Sequence, residues 1–174
     1  MRELDDKPGI AQGLNILGEL YRAQGEYGRA NEVYLDALAI CQETGEVIRE
    51  NILYHNLGFV AYQAGKYQEA LEYTKTAMLN QKATGFIQMA LSCMGSLSGP
   101  LARLGEPEKA ARILGATVAL MAGVGTSYQP SDQHEIDKFE SYVRTKMDKD
   151  TYDRLFAEGQ KMTLNEAIEY AIGE

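Results

Sequence analysis

Residue types that could support catalysis or metal binding are few and widely spaced in this chain. The two histidines, His55 and His134, stand 79 positions apart, and neither has a cysteine or second histidine at metal-ligand spacing. Residues 123–125, Gly-Val-Gly, lack the strand and helix that flank a phosphate-binding loop. No nucleophile has a recognisable base partner. We therefore expect no metal, no cofactor and no enzymatic activity.

Charge and composition narrow the class of partner. The 174 residues include 17 Lys and Arg against 25 Asp and Glu, a formal net charge of −8, whereas nucleic-acid binding needs a basic stripe. No apolar run approaches the ~18 residues of a membrane span. The start of the chain is charged and unlike a signal peptide. We expect a cytoplasmic protein with no nucleic-acid or membrane partner, and no pattern predicts its oligomeric state.

Cys41 and Cys93 lie at apolar helical positions and are predicted to be buried.

A repeat of 40 positions organises the chain. A helix, a glycine turn and a second helix recur three times, with small residues where the two helices cross. The repeat is defined by Gly25, Gly65 and Gly105, by Ala30, Ala70 and Ala110, and by Leu17, Leu57 and Leu97. Self-similarity at a fixed period predicts an all-α protein of stacked helix pairs.

The repeat units resemble the tetratricopeptide repeat, whose pattern is large-x₂-Leu-Gly-x₂-Tyr followed by Ala-x₃-aromatic. The first unit matches at Leu14, Leu17, Gly18, Tyr21, Ala30 and Tyr34. The second unit keeps Tyr54, Leu57, Gly58 and Ala70, and the third is recognisable mainly by register. The family period is ~34 residues, and HEAT or armadillo units, with a period near 40, are the alternative. Longer helices joined at residues 44–45 and 84–85 would account for the six additional residues.

The resemblance implies a right-handed α-α superhelix of antiparallel helix pairs. Residues 11–124 would hold three tetratricopeptide-like units, and residues 125–174 would form a C-terminal helical cap. Residues 1–10 would be the tail of a preceding repeat, because residues 2–5 align with the ends of the later second helices. We therefore expect the chain to be a fragment of a longer repeat protein.

Three helices are predicted in the C-terminal cap. The capping candidates are Ser131 or Asp132 for the first helix, Asp148 or Asp150 for the second, and a capping box of Thr163 and Glu166 for the third. The inward residues are Ile136, Phe139, Val143 and Met147 on the first, Tyr152, Leu155 and Phe156 on the second, and Leu164, Ala167, Ile168 and Ala171 on the third. An atypical terminal cap would cover the apolar face that a helical stack otherwise exposes.

The C-terminal region also resembles the end of large bacterial regulators. The segments at 114–116, Leu-Gly-Ala, at 156–159, Phe-Ala-Glu-Gly, and at 162–168 are similar to those of LuxR-type transcription activators and signal-transduction ATPases. In such regulators the repeat region senses an effector or a partner. The resemblance implies a signalling role for this chain as part of a transcription regulator or ATPase.

The resemblance places the first helix of each unit on the inner side of a groove. We predict that a protein or peptide binds there, with Phe59 and Tyr62 supplying contact area and Asn56 pairing with a peptide backbone. The alternative is that Phe59 packs against a neighbouring helix and the other side chains are solvated. The outward positions are Asn15, Glu19, Arg22, His55, Asn56, Phe59, Tyr62, Gln63, Ser92, Ser96 and Arg103.

Two functions remain open at this point. The first is a non-enzymatic scaffold that binds a protein or peptide in the concave groove. The second is an effector-sensing regulatory domain that binds a small molecule. A clamp for a partner's C-terminal carboxylate, known among tetratricopeptide proteins, is disfavoured because Glu19 would repel the ligand.

Overall fold

The computed structural model describes residues 6–128 and 130–173, without the side chain of Ser131, and every regular element in these ranges is an α-helix. The helices are α1 (Lys7–Ala23), α2 (Tyr27–Thr44), α3 (Val47–Gln63), α4 (Tyr67–Ala83), α5 (Ile87–Ser96), α6 (Ser98–Arg103), α7 (Pro107–Gly123), α8 (Pro130–Arg144), α9 (Lys149–Gly159) and α10 (Leu164–Ile172). The predicted all-α class is confirmed, and adjacent helix pairs pack as in a tetratricopeptide-like repeat. The chain divides into two compact units, Met1–Tyr73 and Thr74–Glu174, with the boundary inside α4.

Left-handed glycines form the turns, as the repeat predicts. Gly25, Gly65 and Gly105 have φ angles of 77°, 78° and 92°, a conformation in which a residue with a Cβ is strained. Gly45 ends α2 in the same conformation, with φ 74°. Because α3 begins at Val47, only two residues separate α2 from α3. The additional residues of the long period therefore extend the helices rather than a loop.

The first helix begins four residues before the predicted start of the first repeat. Asp6 caps α1 by accepting a 3.0 Å hydrogen bond from the Gly9 amide, and Pro8 stands in the first turn, where a helix needs no N–H. Residues 7–10 therefore belong to α1, and the predicted boundary at residue 10 is wrong. The predicted tail at residues 2–5 lies outside the described part of the chain.

In the first unit, α1 and α2 cross where Gly18 meets the ring of Tyr34. An alanine Cβ at Gly18 would lie 2.6 Å from Tyr34 Cδ1. Tyr34 is fully buried, and this burial raises the pKa of its hydroxyl to about 12. A larger residue at position 18 would force the two helices apart. The core around this crossing contains Ala11, Ala30, Tyr34, Ala37, Leu38, Cys41, Leu53, Leu57 and Val60.

The first helix of the third unit is interrupted at Leu97, which separates α5 from α6. Pro100 has no N–H and cannot donate to the carbonyl four residues earlier, at Ser96. The hydroxyl of Ser98 donates to the Gly95 carbonyl at 2.7 Å inside this interruption. The third unit is thus the least regular in structure as well as in sequence.

Three helices, α8 to α10, lie in the region predicted for the C-terminal helices, but the predicted place of Met147 on the first of them is wrong, because α8 ends at Arg144. Asp148 caps α9 by accepting from the Thr151 amide at 2.9 Å, and the capping box of Thr163 and Glu166 opens α10. The predicted cap Asp132 is wrong, because α8 begins at Pro130 and places Asp132 inside its first turn. The other candidate cap, the side chain of Ser131, lies outside the described residues.

The C-terminal region packs against α7 through glycine. Alanine Cβ atoms at Gly115 and Gly159 would overlap the carbonyl oxygens of Phe156 and Arg112, so α7 and α9 touch backbone to backbone. Arg112 Nε also donates to Glu158 on α9 at 2.9 Å, and its NH1 donates to the Tyr170 hydroxyl on α10 at 3.4 Å. One helix of the third unit therefore carries both α9 and α10.

Candidate functional site

Four predicted groove residues form a continuous polar row in the first unit. Asn15 Nδ2 donates to Glu19 Oε1 at 3.0 Å, and Asn15 Oδ1 accepts from Asn56 Nδ2 at 3.1 Å. Asn56 Oδ1 in turn accepts from Arg22 NH1 at 3.4 Å. Asn15, Glu19 and Arg22 share a face of α1 because they are spaced i, i+4 and i+7, and Asn56 lies opposite them on α3. This set, Glu19–Asn15–Asn56–Arg22, is called the polar row below.

Asn56 is the buried member of the polar row, which corrects its predicted outward position. It is 6 % exposed, because α3 turns this residue toward α1 rather than toward solvent. Its amide nitrogen and its carbonyl oxygen are both engaged with α1. Asn56 therefore positions Asn15 and Arg22, and direct pairing of Asn56 with a peptide backbone is not supported by this geometry.

The aromatic ring of Phe59 lies next to the polar row and contacts Arg22. The guanidinium of Arg22 lies 4.8 Å from the centroid of the Phe59 ring, a cation–π distance. Phe59 is partly buried and packs against the core of the compact unit. This agrees with the alternative in which Phe59 packs against a neighbouring helix. Its ring nevertheless contacts Arg22. Tyr62 is half-buried and contacts Tyr67, with 5.4 Å between ring centroids. His55 and Gln63 are half-buried on the same helix.

An apolar cleft adjoins the polar row. It has a volume of about 570 Å³ and shares Asn15 with the row; its other lining residues are Gly45, Glu46, Val47, Ile48, Arg49 and Ile52. Arg49 Nε donates to Glu46 Oε2 at 2.6 Å within this lining. Val47 and Ile48 are 47 % and 58 % exposed, which is unusual for two adjacent large apolar side chains.

The sequence prediction omitted the cleft residues although the register contains a signal for one of them. Ile52 stands 40 positions before Ser92. The repeat register therefore relates Ile52 to a predicted groove position. Val47 and Ile48 lie in the first turn of α3, and their exposure follows from the position of the helix start, which the pattern alone does not define.

In the compact unit Thr74–Glu174, α8 covers the face that is equivalent by register. Ser92 is 5 % exposed, and its hydroxyl donates to Asp132 Oδ2 on α8 at 2.9 Å. An alanine Cβ at Gly99 would lie 2.7 Å from Phe139 Cδ1, so α8 packs closely against α6. The predicted outward position of Ser92 is therefore wrong, because α8 lies over this face.

Ser96 and Arg103, the other two predicted groove residues of the third repeat, also lie near the face that α8 covers. The Ser96 hydroxyl donates to the Ser92 carbonyl at 3.1 Å. The guanidinium of Arg103 lies 3.8 Å from the centroid of the Tyr142 ring on α8. By register, Ser92, Gly95 and Gly99 correspond to Ile52, His55 and Phe59 of the second repeat. The face that carries the polar row and the cleft in the compact unit Met1–Tyr73 thus corresponds, by register, to the face that α8 covers in the compact unit Thr74–Glu174.

The cysteines are buried, as predicted. Cys41 and Cys93 are both free thiols inside helices. Burial raises the pKa of the Cys93 thiol to about 12, so it is a poor nucleophile at neutral pH. Within residues 6–128 and 130–173, no three His, Cys, Asp or Glu side chains are grouped so that they could hold a metal ion.

None of the helices in the described ranges is long and apolar enough to cross a membrane.

Comparison with known proteins bears on the first two repeats. No curated protein matches the chain. The tetratricopeptide repeat family model matches residues 10–44 and 53–78, which contain most of α1, all of α2, most of α3 and the first part of α4. The members of the polar row, on α1 and α3, all lie within the matched residues. Tetratricopeptide repeats are in general a non-enzymatic scaffold that mediates protein–protein interaction, and the match supports repeats of this kind within the matched residues.

Proposed function

We propose that the first unit binds a segment of another protein through the polar row, Phe59 and the apolar cleft. The family match supports protein binding in general, and the geometry of these residues supports this particular face. The binding face contains a charged side chain stacked on an aromatic ring, next to an apolar depression. Arginine and aromatic residues are over-represented where partner proteins make their strongest contacts.

The observation that carries the proposal is the fixed orientation of Arg22. Asn56 accepts from its NH1, and the Phe59 ring lies beneath its guanidinium. A guanidinium has several N–H donors, so Arg22 can hold Asn56 and still donate to a carbonyl or carboxylate of a partner. Because the side chain is already ordered, binding costs less conformational entropy than it would for a mobile arginine.

The partner chemistry follows from the two parts of the face. The cleft beside Asn15 is lined by Val47, Ile48 and Ile52 and accommodates an apolar side chain. The polar row offers the guanidinium of Arg22 and the second Nδ2 N–H of Asn15, which is only half-buried, to polar groups of a backbone. We therefore propose a peptide segment with an apolar residue for the cleft and a carbonyl or carboxylate for Arg22.

The test starts from a ligand selected by peptide display on the immobilised full chain. Phe59→Ala and Arg22→Ala together should weaken its affinity about tenfold or more, a loss typical of central interface residues. Isothermal titration calorimetry measures the change. Arg29→Ala is the matched control, since Arg29 stacks on Tyr21 at 4.1 Å but lies on α2, outside the proposed face. Unchanged affinity in a folded double variant would refute the proposal.

A second candidate function is the sensing of a small effector, and the apolar cleft favours it. A volume of about 570 Å³ lies within the range of small-molecule sites, roughly 300–1,000 Å³. Such a role would suit the LuxR-type or signal-transduction ATPase regulator that the C-terminal region resembles. A thermal-shift screen with metabolites should then reveal compounds that stabilise the chain but not Ile52→Trp, which fills the cleft. Equal shifts in both proteins would place the effector elsewhere.

A further inference from the structure

The directions of the hydrogen bonds in the polar row are set by the two charges at its ends. The guanidinium of Arg22 can only donate, so the Oδ1 oxygen of Asn56 faces it. The carboxylate of Glu19 can only accept, so Asn15 turns its Nδ2 toward it. The remaining amide groups of the two asparagines meet each other, with Asn56 Nδ2 donating to Asn15 Oδ1. Neutral amides therefore connect the two charges of the row.

The charges of Glu19 and Arg22 are not paired with each other, although the two residues stand one turn apart on α1. Within the described part of the chain, Glu19 makes one hydrogen bond, through Oε1, and no ion pair. Arg22 bonds to the amide of Asn56 and stacks on Phe59. Besides burial, which raises the pKa of the Tyr34 hydroxyl, the charge of Arg22 lowers this pKa and the charge of Glu19 raises it. Both charges therefore lie near one buried hydroxyl.

The other charged residues of the proposed binding face, which consists of the polar row, Phe59 and the apolar cleft, neutralise each other. Arg49 Nε lies 2.6 Å from Glu46 Oε2 in the lining of the cleft. Of the residues that form this face, those whose charge is left for a partner are Glu19, which is exposed, and Arg22, which is half-buried. Such an arrangement favours a partner that brings the opposite charge to each point and rejects one that brings like charges.

The order of these groups along α1 gives the order of the partner residues that they can contact. The apolar cleft adjoins Asn15, Glu19 follows one turn later, and Arg22 lies about one turn beyond Glu19. At a rise of about 1.5 Å per residue, Asn15 and Arg22 are about 10 Å apart along the helix axis. An extended segment spans this distance with about three residues, at about 3.3 Å each. The three contacts therefore fit one short segment.

We propose that Glu19 is a specificity-determining residue, which selects a lysine or arginine of the partner segment. This basic residue lies between the apolar residue in the cleft and the group that Arg22 binds. The second carboxylate oxygen of Glu19 makes the contact, while its Oε1 holds the amide of Asn15. The inference rests on the proposed peptide binding and adds to it a basic residue and the order apolar, basic, acceptor.

The test compares two peptides in a double-mutant cycle. The first is selected by display on the immobilised full chain, and the second has glutamine in place of its basic residue. Glu19→Gln keeps an oxygen that accepts from Asn15 but removes the charge. Titration calorimetry should show that this substitution weakens binding of the first peptide about threefold and leaves the second unchanged. Glu32→Gln, at an exposed carboxylate on α2 outside the face, is the matched control and should change neither affinity.

Arg22→Ala separates this inference from the proposed function. If Arg22→Ala weakens both peptides but Glu19→Gln weakens them equally, or weakens neither, peptide binding stands and the role of Glu19 is overturned. Selected peptides without a basic residue beside the apolar one would overturn that role as well. If Arg22→Ala leaves both affinities unchanged, the proposed binding face itself is wrong, and the inference fails with it.

Discussion

Gly159→Ala is expected to destabilise the C-terminal unit by about 3 kcal/mol, because α7 and α9 meet backbone to backbone at this residue. The new Cβ would overlap the carbonyl oxygen of Arg112 and lie 3.0 Å from the amide nitrogen of Ala116. Relief requires the two helices to separate, since no flexible side chain stands between them. Urea unfolding followed by circular dichroism measures the loss.

Gly123→Ala is the matched control for this substitution. Gly123 is the last residue of α7, as Gly159 is the last residue of α9, but a Cβ added at Gly123 would meet nothing within 4 Å. This change should be neutral or stabilising by about 0.5–1 kcal/mol, because alanine favours the helix over glycine. If Gly159→Ala is as stable as the unmodified chain, α9 does not pack on α7 as described.

Phe139→Ala is expected to cost about 4 kcal/mol, the usual range for deletion of a buried aromatic side chain. Phe139 is 4 % exposed and lies against Gly99, where it holds α8 over the face of the third repeat. We expect amide exchange to accelerate in α8, while exchange in α1 stays unchanged. Hydrogen-exchange mass spectrometry resolves the two helices.

Phe86→Ala is the matched control for Phe139→Ala, because it removes the same side chain from an exposed position. Phe86 is 46 % exposed, so the same substitution removes little buried surface and should cost far less. Equal losses for the two variants would show that Phe139 does not anchor α8.

The repeated glycines and apolar positions made the helical framework predictable. Gly25 and Gly65 stand where a helix must end, and a left-handed φ is the backbone state that glycine enters without strain. The capping box at Thr163 was predictable for a similar reason, because its hydrogen bonds are local in sequence. Local chemistry decides these features, so a single sequence is sufficient to find them.

The contacts of the candidate site depend on packing between distant segments and were only partly predictable. The polar side chain of Asn56 predicted that it faces outward, but it is buried against α1, where it forms two hydrogen bonds. Ser92 was misplaced because α8, 40 positions later, covers it. The apolar cleft arises where the turn at Gly45 leads into α3. Apart from Ile52, which the 40-residue register relates to Ser92, these residues have no periodic signature.

The most direct test of the proposed binding face is an NMR footprint of a display-selected peptide on the isotope-labelled full chain. The proposal predicts that the largest shift changes fall on the side chains of Asn15, Arg22 and Phe59 and on the cleft residues Ile48 and Ile52, and that Phe59→Ala removes them. Shift changes confined to α9 and α10, with the first unit unaffected, would contradict it.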